Sequence, residues 1–446
     1  MGNPGGRLSR ALTAVLASPA YPLVLQLPFL ALFGLIMYFA LFGTIRPGRN
    51  FGTVMTWTLW WPILPISLVL LGRVWCAVCP LATVSSFVQK LARPTRLPGR
   101  LLRRYGIALM IATFVGLTWA DRTWTITRSP RATGILLLTL LAGAAFVSVL
   151  YQRRAWCRYI CPLGALTGIY STTAVVELRS KDAACSGCQK ECYRASSEAQ
   201  GCPLYQFPST MDSNRNCNLC GDCIKACPQG RIEVRGRPPG RELWQLTRPV
   251  AGEALLAVVM IPMVFMQTFD MSVAWGDYMR WMVERVGIES YMAVFTFTFF
   301  AAIAIAVALY TLANLFISRT RGDWRQNFAL FGYAFIPLAL AGHIAHNVSH
   351  LVTEAPRGVQ TALSQVGIHW TFVAQPGEQL AATRPMLPLA LSILALGIAG
   401  SFFVLWKLSK KAGGHKAIFA QGAVLVIATS LFLWLFLLPM NPTHSH

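Results

Sequence analysis

Arg73-Val-Trp-Cys76-Ala-Val-Cys79-Pro80 stands directly after an apolar window of the sequence, and Arg154-Ala-Trp-Cys157-Arg-Tyr-Ile-Cys161-Pro162 stands directly after another. Each window is the second of a pair, and each pair is long enough to form two membrane-crossing helices of about 20 residues. The sequence therefore predicts two copies of a helical hairpin, each ending in a Trp-Cys…Cys-Pro element.

The fold class follows from how much of the chain is apolar. Hydrophobic residues make up 55% of the 446 residues and charged residues only 13%, whereas a soluble domain usually carries about 25% charged residues. We therefore predict an all-α polytopic membrane protein, with a small inserted domain, rather than a soluble enzyme. Nine windows qualify as transmembrane helices: residues 21–43, 53–72, 105–120, 134–151, 250–269, 291–317, 328–350, 386–406 and 417–439.

The net charge of +22 would indicate nucleic-acid binding in a soluble protein. In a membrane protein, Lys and Arg instead concentrate in the cytosolic loops. With a cytosolic N-terminus and nine alternating spans, 30 of the 39 basic residues fall in inner segments and nine in outer ones. We therefore predict a cytosolic N-terminus, a C-terminus on the opposite side, and no nucleic-acid partner. Residues 1–20 are interpreted as the approach to an uncleaved first helix rather than as a signal peptide.

Three domains are predicted along the chain. Residues 1–178 form an N-terminal membrane domain of about four helices in the two repeated hairpins. Residues 179–249 include the long polar stretch and form a cytosolic ferredoxin-like insert. Residues 250–446 form a C-terminal membrane domain of about five helices, one of them rich in histidine.

The insert contains the run Cys217-Asn-Leu-Cys220-Gly-Asp-Cys223-Ile-Lys-Ala-Cys227-Pro228. This C-x₂-C-x₂-C-x₃-C-P spacing is typical of bacterial ferredoxins, in which three thiolates hold one [4Fe–4S] cluster and the fourth ligates the other. A looser partner run, Cys185-Ser-Gly-Cys188-Gln-Lys-Glu-Cys192, precedes Cys202. Crossed ligation predicts one cluster on Cys185, Cys188, Cys192 and Cys227, and a second on Cys217, Cys220, Cys223 and Cys202. The loose spacing before Cys192 leaves a three-iron site as an alternative for the first set, and zinc is the other alternative metal.

Cys76, Cys79, Cys157 and Cys161 end the two hairpins at the predicted inner membrane face. If the hairpins pack together, these four thiols form a third metal or cluster site. Two alternatives stay open: small buried hydrophobic residues, or a reducible pair with a regulatory role.

Two Trp-Cys…Cys-Pro elements followed by a two-cluster ferredoxin insert resemble the NapH/NosR/CcoG-type membrane-bound polyferredoxins. The resemblance covers about residues 20–250. It implies a bacterial inner-membrane protein with two cytosolic [4Fe–4S] clusters. It also implies electron transfer between a quinone pool or cytosolic donor and a periplasmic or membrane redox partner. The five further spans depart from the smaller NapH type, and the resemblance does not specify the acceptor.

The seventh window contains Ala341-Gly-His343-Ile-Ala-His346-Asn347-Val-Ser-His350. Steps of three and seven residues place the three histidines on one helix face, in the predicted outer half of the membrane. Ionisable residues inside a span indicate a functional site by default. Haem b is one candidate, with His369 or a methionine as the second ligand, and a metal ion is another.

Quinone binding is the third candidate for this face, because imidazole can hydrogen-bond a quinone carbonyl and accept its proton. Glu354 and Asp270 could then pass protons onward. Methionines on the fifth span would suit Cu(I) together with histidine, although Met more often fills packing gaps. These methionines are Met260, Met263, Met266 and Met271.

Electron transfer between an outer quinone or haem site and cytosolic clusters is the leading hypothesis, and any enzymatic role would be that of a quinol-dehydrogenase-like oxidoreductase subunit. The alternative is a copper reductase, or an assembly or regulatory factor for a periplasmic metalloenzyme. A transporter is disfavoured because the spans contain almost no acidic residue for ion coupling.

Overall fold

The computed structural model describes residues 6–181, 185, 192–193, 201–227, 229–319, 322–369, 386–412 and 414–439. Within these residues it contains nine helical segments long and apolar enough to span a membrane, which confirms the predicted fold class and span number. The segments are Leu23–Phe42, Phe51–Ala92, Arg100–Trp124, Pro130–Leu150, Ala251–Phe269, Tyr291–Ser318, Trp324–Thr353, Met386–Lys411 and Gly414–Leu437.

The second segment is not one regular helix. A π-helix over Val54–Trp60 leads into the α-helix Trp61–Leu71, and a 3₁₀ turn over Gly72–Val74 interrupts the helix before the cysteine element. Gly72 has φ +61°, a conformation that interrupts an α-helix and that glycine adopts at little cost. A new helix, Pro80–Ala92, then begins with proline at its first position.

Several shorter helices lie outside the predicted windows. Some of them are too polar for a hydropathy window to detect. Among these are Arg7–Ala17, Arg241–Gln245, Val273–Val286 and Ala355–Gln365.

The chain divides into two compact units. Unit 1 comprises Met1–Tyr38, Ile66–Thr113 and Gly134–Thr247, and unit 2 comprises Phe39–Pro65, Phe114–Thr133 and Arg248–His446. The three domains predicted from the sequence remain a prediction.

Unit 1 contains a two-stranded antiparallel sheet. Strand Val176–Ser180 pairs with strand Ile232–Gly236, with Leu178 opposite Val234. Both of these side chains are buried, and they pack in the core of the insert with Leu219 and Ile224. The sheet therefore closes the insert around the Cys217–Cys227 run.

The N-terminal helix, Arg7–Ala17, completes the same core. The hydroxyl of Ser9 donates to the Val234 carbonyl at 2.5 Å, and the Val234 amide donates to Thr13 Oγ1 at 3.0 Å. Leu16 is 7% exposed among the core residues of the insert. This packing could not be predicted from the sequence, because nothing in the local pattern of residues 7–17 indicates a strand more than 200 residues away.

In unit 2 the segment Trp324–Thr353 is the most enclosed span, with 78% of its apolar window buried. Its neighbours approach closely at small residues. A Cβ added to Gly397 would stand 2.2 Å from the Cβ of Ala341, and one added to Gly332 would stand 2.3 Å from the Cβ of Ala254. Small residues at such contacts allow membrane helices to pack backbone against backbone.

We predict that Gly221→Ala displaces the N-terminal helix from the insert. Gly221 has φ +81°, and a Cβ there would stand 2.1 Å from the Leu16 carbonyl oxygen. Limited trypsinolysis at Arg7 and Arg10, both exposed, should become markedly faster. The matched control is Gly230→Ala, which has a similar φ of +60° but no atom within 4 Å of the new Cβ. It should incur only the backbone cost of about 1–2 kcal/mol. Equal protease sensitivity of the two variants would contradict the predicted role of Gly221.

Candidate iron–sulfur and histidine sites

Four thiols of the insert surround one cavity in unit 1. Its lining includes Cys202, Cys217, Cys220 and Cys223. These are the four residues predicted to hold the second cluster. The other lining residues include Leu178, Pro208 and Met211, which make one side apolar.

Backbone amides donate hydrogen bonds to the sulfurs of these cysteines. The amide of Gln206 lies 3.2 Å from Cys202 Sγ, and the amides of Leu219 and Asp222 donate to Cys217 and Cys220. Such N–H···S bonds stabilise thiolates and tune the potential of a bound cluster.

Burial has the opposite effect on the free thiols. It raises the pKa of Cys217 to about 11 and that of Cys220 well above its ordinary value. Without a bound metal these thiols are therefore protonated at neutral pH. Metal binding must displace their protons, so loading of the site is favoured as pH rises.

The arrangement fits an iron–sulfur cluster. Within the described ranges, no three His, Cys, Asp or Glu side chains form a group that could hold a metal ion. The thiolates around a [4Fe–4S] cluster bind four separate iron atoms, and the four cysteines that line this cavity supply that number of sulfurs.

The first predicted set is only partly described. Cys188 lies outside the described residues, and Cys185 is half-buried. Cys192 and Cys227 pack against the core that also contacts Cys223, and the amide of Arg231 donates to Cys227 Sγ at 3.3 Å. The assignment of Cys185, Cys188, Cys192 and Cys227 to one cluster stays a prediction.

The two Cys-Pro elements of the hairpins fold alike. Cys79 and Cys161 each precede a helix that begins at proline, Pro80–Ala92 and Pro162–Ser171. The amides of Leu81 and Ala82 donate to Cys79 Sγ, and the amide of Gly164 donates to Cys161 Sγ. Each thiol thus faces the positive end of a helix, which favours its charged form.

The structure brings the four hairpin cysteines together. Burial, together with the neighbouring thiols of Cys76 and Cys79, raises the pKa of Cys161 to about 12. The Cys157 thiol interacts in the same way with all three of the others. Cys79 and Cys157 also share an apolar cluster with Cys202, so the hairpin thiols lie beside the set in the insert.

Two buried arginines form hydrogen bonds from one repeat to the other. Arg73 Nη2 donates to the Cys157 carbonyl at 3.1 Å, and Arg154 Nη1 donates to the Cys76 carbonyl at 2.7 Å. Each arginine therefore binds the cysteine of the other copy. The repeated Arg-x-Trp-Cys spacing is visible in the sequence, but it does not indicate that the arginines form hydrogen bonds between the two repeats.

A buried ionic network holds the loop before Cys217. The Glu242 carboxylate accepts from Ser213 Oγ at 2.8 Å, from the Asn214 amide at 2.8 Å and from Arg179 Nη2 at 2.7 Å. The Asn214 carbonyl in turn accepts from the Cys217 amide at 2.8 Å. Glu242 thereby fixes the start of the ferredoxin run.

The three histidines lie on the helix Ile336–Thr353 of unit 2. The ring of His343 packs against the indole of Trp61, with centroids 5.5 Å apart. The ring of His346 lies 5.0 Å from that of His350, and its Nδ1 is 2.9 Å from Thr268 Oγ1. The shared face predicted from the sequence is thus divided between two neighbours, Trp61 and Thr268.

Two acidic side chains lie near these histidines or near Thr268, which contacts His346. His350 Nδ1 lies 2.7 Å from Glu354 Oε1. Asp270, two residues after Thr268, pairs with Arg122 at 3.2 Å. Burial raises the pKa of Asp270 to about 6, although Arg122 opposes the shift. Asp270 can therefore take up a proton near neutral pH.

The other candidate ligands on this side differ in exposure. His369, the predicted alternative haem ligand, is exposed. The four methionines of the fifth span and its end are 1–7% exposed, which is consistent with a packing role. They are Met260, Met263, Met266 and Met271.

Comparison with known proteins agrees with the cysteine chemistry. A family model described as "4Fe-4S binding domain" matches residues 53–100 and 133–175. Each matched range contains one Trp-Cys…Cys-Pro element, whereas the ferredoxin run at Cys217–Cys227 lies outside both. The fold and the cysteine sets define a polytopic membrane protein with a 4Fe-4S binding domain.

Three individual relatives are described as ferredoxin-type or electron transport proteins. The chain is 29% identical over 181 residues to the ferredoxin-type protein NapH of Haemophilus influenzae, covering 36% of this chain and 61% of that protein. It is 27% identical over 186 residues to NapH of Escherichia coli, covering 37% and 62%. It is 33% identical over 99 residues to the putative electron transport protein YccM of E. coli, covering 22% and 24%.

The chain thus spans about three fifths of the length of the NapH relatives it matches. No solved structure matches the chain. The relatives confirm the resemblance predicted from the motifs: the chain is similar to the NapH-type membrane polyferredoxins.

We predict that Glu242→Gln destabilises the ferredoxin-like insert by about 3–5 kcal/mol, because it leaves one carboxylate, that of Glu177, to compensate the two buried cations Arg179 and Arg237. The measurement is the free energy of unfolding from denaturant titration, followed by cluster absorbance. Glu233→Gln is the matched control, since Glu233 pairs with the half-exposed Lys181 and should lose only about 0–1 kcal/mol. Equal losses in the two variants would contradict the role assigned to Glu242.

Proposed function

We propose that this protein transfers electrons across the membrane between a quinone site at the histidine helix and [4Fe–4S] clusters on the cytosolic side. The observation that carries the proposal is the cavity lined by Cys202, Cys217, Cys220 and Cys223. It lies in a chain with nine candidate spans and a 4Fe-4S binding domain. Iron–sulfur clusters supply one-electron transfer, and the protein sets their spacing and potential.

Three clusters are proposed. Two belong to the insert, one on the cavity-lining set and one on Cys185, Cys188, Cys192 and Cys227. The third belongs to Cys76, Cys79, Cys157 and Cys161, whose thiols converge within a region matched by the 4Fe-4S model. Its support is the contact that Cys79 and Cys157 make in one apolar cluster with Cys202, which makes it the neighbour of a cluster in the insert.

Quinone is favoured over haem for the histidine helix. Oxidation of a quinol releases two protons and two electrons, so its site needs proton acceptors as well as a path to one-electron carriers. The His350–Glu354 pair and the buried Asp270 supply titratable groups at one end of the helix. Haem would need a second axial ligand, and the histidine predicted for that role, His369, is exposed.

The proposal also includes the orientation of the protein in the membrane. The N-terminal helix packs against the insert through Ser9 and Val234, so these two parts share one side of the membrane. The charge distribution favours the cytosol for that side. Electrons would then pass between cytosolic clusters and a periplasmic or membrane redox partner in the bacterial inner membrane.

We expect anaerobically purified protein to contain about twelve iron atoms and twelve acid-labile sulfides, about four for each cluster. Cys220→Ala and Cys76→Ala should each remove about four iron atoms, and from different clusters, as resolved by electron paramagnetic resonance. Zinc without labile sulfide would contradict the electron-transfer proposal as a whole. About eight iron atoms, unchanged in Cys76→Ala, would contradict only the third cluster.

We further expect His350→Gln to slow quinone reduction by the dithionite-reduced protein about 10²-fold, because the reaction loses a proton-transfer group. Stopped-flow absorbance of the clusters, mixed with a soluble quinone analogue, measures the rate. His369→Gln, the same change at an exposed histidine, is the matched control and should keep the wild-type rate. Equal rates for both variants would contradict the quinone site, and haem bands in the reduced-minus-oxidised spectrum would replace it with haem.

A further inference from the structure

Arg73 is buried without an acidic partner. Its residue is 2% exposed, and its guanidinium donates to Cys76 Sγ at 3.2 Å, to the Cys157 carbonyl at 3.1 Å and to the Arg215 carbonyl at 2.9 Å. Among the residues that the structure describes, no carboxylate forms an ion pair with it. A charge in such a place is costly unless an opposite charge lies close by.

Arg154 repeats this arrangement in the second hairpin. It is 7% exposed, donates to the Cys76 carbonyl, and likewise forms no ion pair within the described ranges. Its guanidinium interacts electrostatically with the thiols of Cys79, Cys157 and Cys220, and also with the carboxylate of Asp222. Both arginines therefore have thiols in their electrostatic surroundings, and Arg73 has no ion-pair partner beside them among the described residues.

Protonated thiols do not compensate two buried cations. Thiolates do, and four of them outweigh the positive core of an iron–sulfur cluster, so a loaded four-cysteine site is anionic. The two buried arginines and the converging thiols would thus balance each other's charge once the thiols are ionised by a bound cluster.

We propose that Arg73 and Arg154 are the counter-charges of a cluster on Cys76, Cys79, Cys157 and Cys161, and that together they hold its reduction potential up. The inference rests on the third cluster of the proposed function. Reduction adds a negative charge, so nearby buried cations stabilise the reduced form and raise the potential. Because each arginine binds the other repeat, loss of either one acts on the same cluster.

The same two residues connect this cluster with the insert. Arg73 binds the carbonyl of Arg215, two residues before Cys217. The amide of Arg154 donates to the Pro203 carbonyl at 3.2 Å, directly after Cys202. The pair therefore fixes the hairpin site against two ligands of the neighbouring cluster, and both are positioning residues.

The test uses Arg73→Gln and Arg154→Gln in the full-length protein, with Arg73→Lys as the charge-conserving variant. Arg103→Gln, which removes an exposed arginine from the same predicted inner segment, is the matched control. Redox titration followed by electron paramagnetic resonance measures the potential of the cluster that Cys76→Ala abolishes. We expect the potential to fall in both Gln variants, to fall less in Arg73→Lys, and to stay at the wild-type value in Arg103→Gln.

Thermal unfolding separates charge compensation from an ordinary structural role. In the iron-loaded protein Arg73→Gln should lower the Tm, because the cluster loses a counter-charge. In iron-depleted protein the same substitution should leave the Tm unchanged or raise it, because it removes an uncompensated buried charge. A fall of equal size in both forms would show that Arg73 serves only through its carbonyl hydrogen bonds, and would overturn the inference.

Failure of this inference is distinguishable from failure of the proposed function. If Cys76→Ala removes no iron, the third cluster is absent and the counter-charge role falls with it. If Cys76→Ala removes about four iron atoms while both Gln variants keep the wild-type potential and Tm, the cluster stands and the role of the arginines is refuted.

Discussion

The guanidinium of Arg73 joins three separate parts of unit 1: the end of the first hairpin, the end of the second and the loop before Cys217. A buried cation needs hydrogen-bond acceptors in several directions and a compensating negative charge. Here the acceptors come from residues up to 142 positions away in the sequence. The position of the cysteines therefore depends on how this one charge is satisfied.

Unit 2 is organised by a different constraint. Its central helix is held by close packing at Ala341 and by contacts of aromatic and hydroxyl groups with the histidines. Charged groups gather where the spans end, as in the Arg122–Asp270 pair. Such an interior keeps ionisable side chains few and specifically partnered, as expected where burying a charge is expensive.

The spans could be predicted because a bilayer requires about 20 apolar residues per helix, and this requirement is local in sequence. The grouping of Cys202, Cys217, Cys220 and Cys223 around one cavity could be predicted because the spacing of a ferredoxin run is dictated by its cluster. The ligand sets of the clusters stay a prediction. The contacts between the repeats could not be predicted, because the hydrogen bonds that Arg73 and Arg154 make to the other repeat depend on how the two hairpins pack. Helical periodicity placed the histidines on one face but did not identify Trp61 or Thr268 as their neighbours. The helices Val273–Val286 and Ala355–Gln365 were not predicted, because amphipathic helices contain no long apolar window.

The contact between Ser9 and Val234 joins residues 225 positions apart, with four membrane spans between them. During synthesis the N-terminal helix leaves the ribosome long before its partner strand exists. It can complete the core around the cysteines only after those four spans have been made. The ferredoxin-like insert therefore closes late, when the membrane domain preceding it has already been translated. The chain's own order of synthesis thus sets a time before which the core around these thiols cannot be complete.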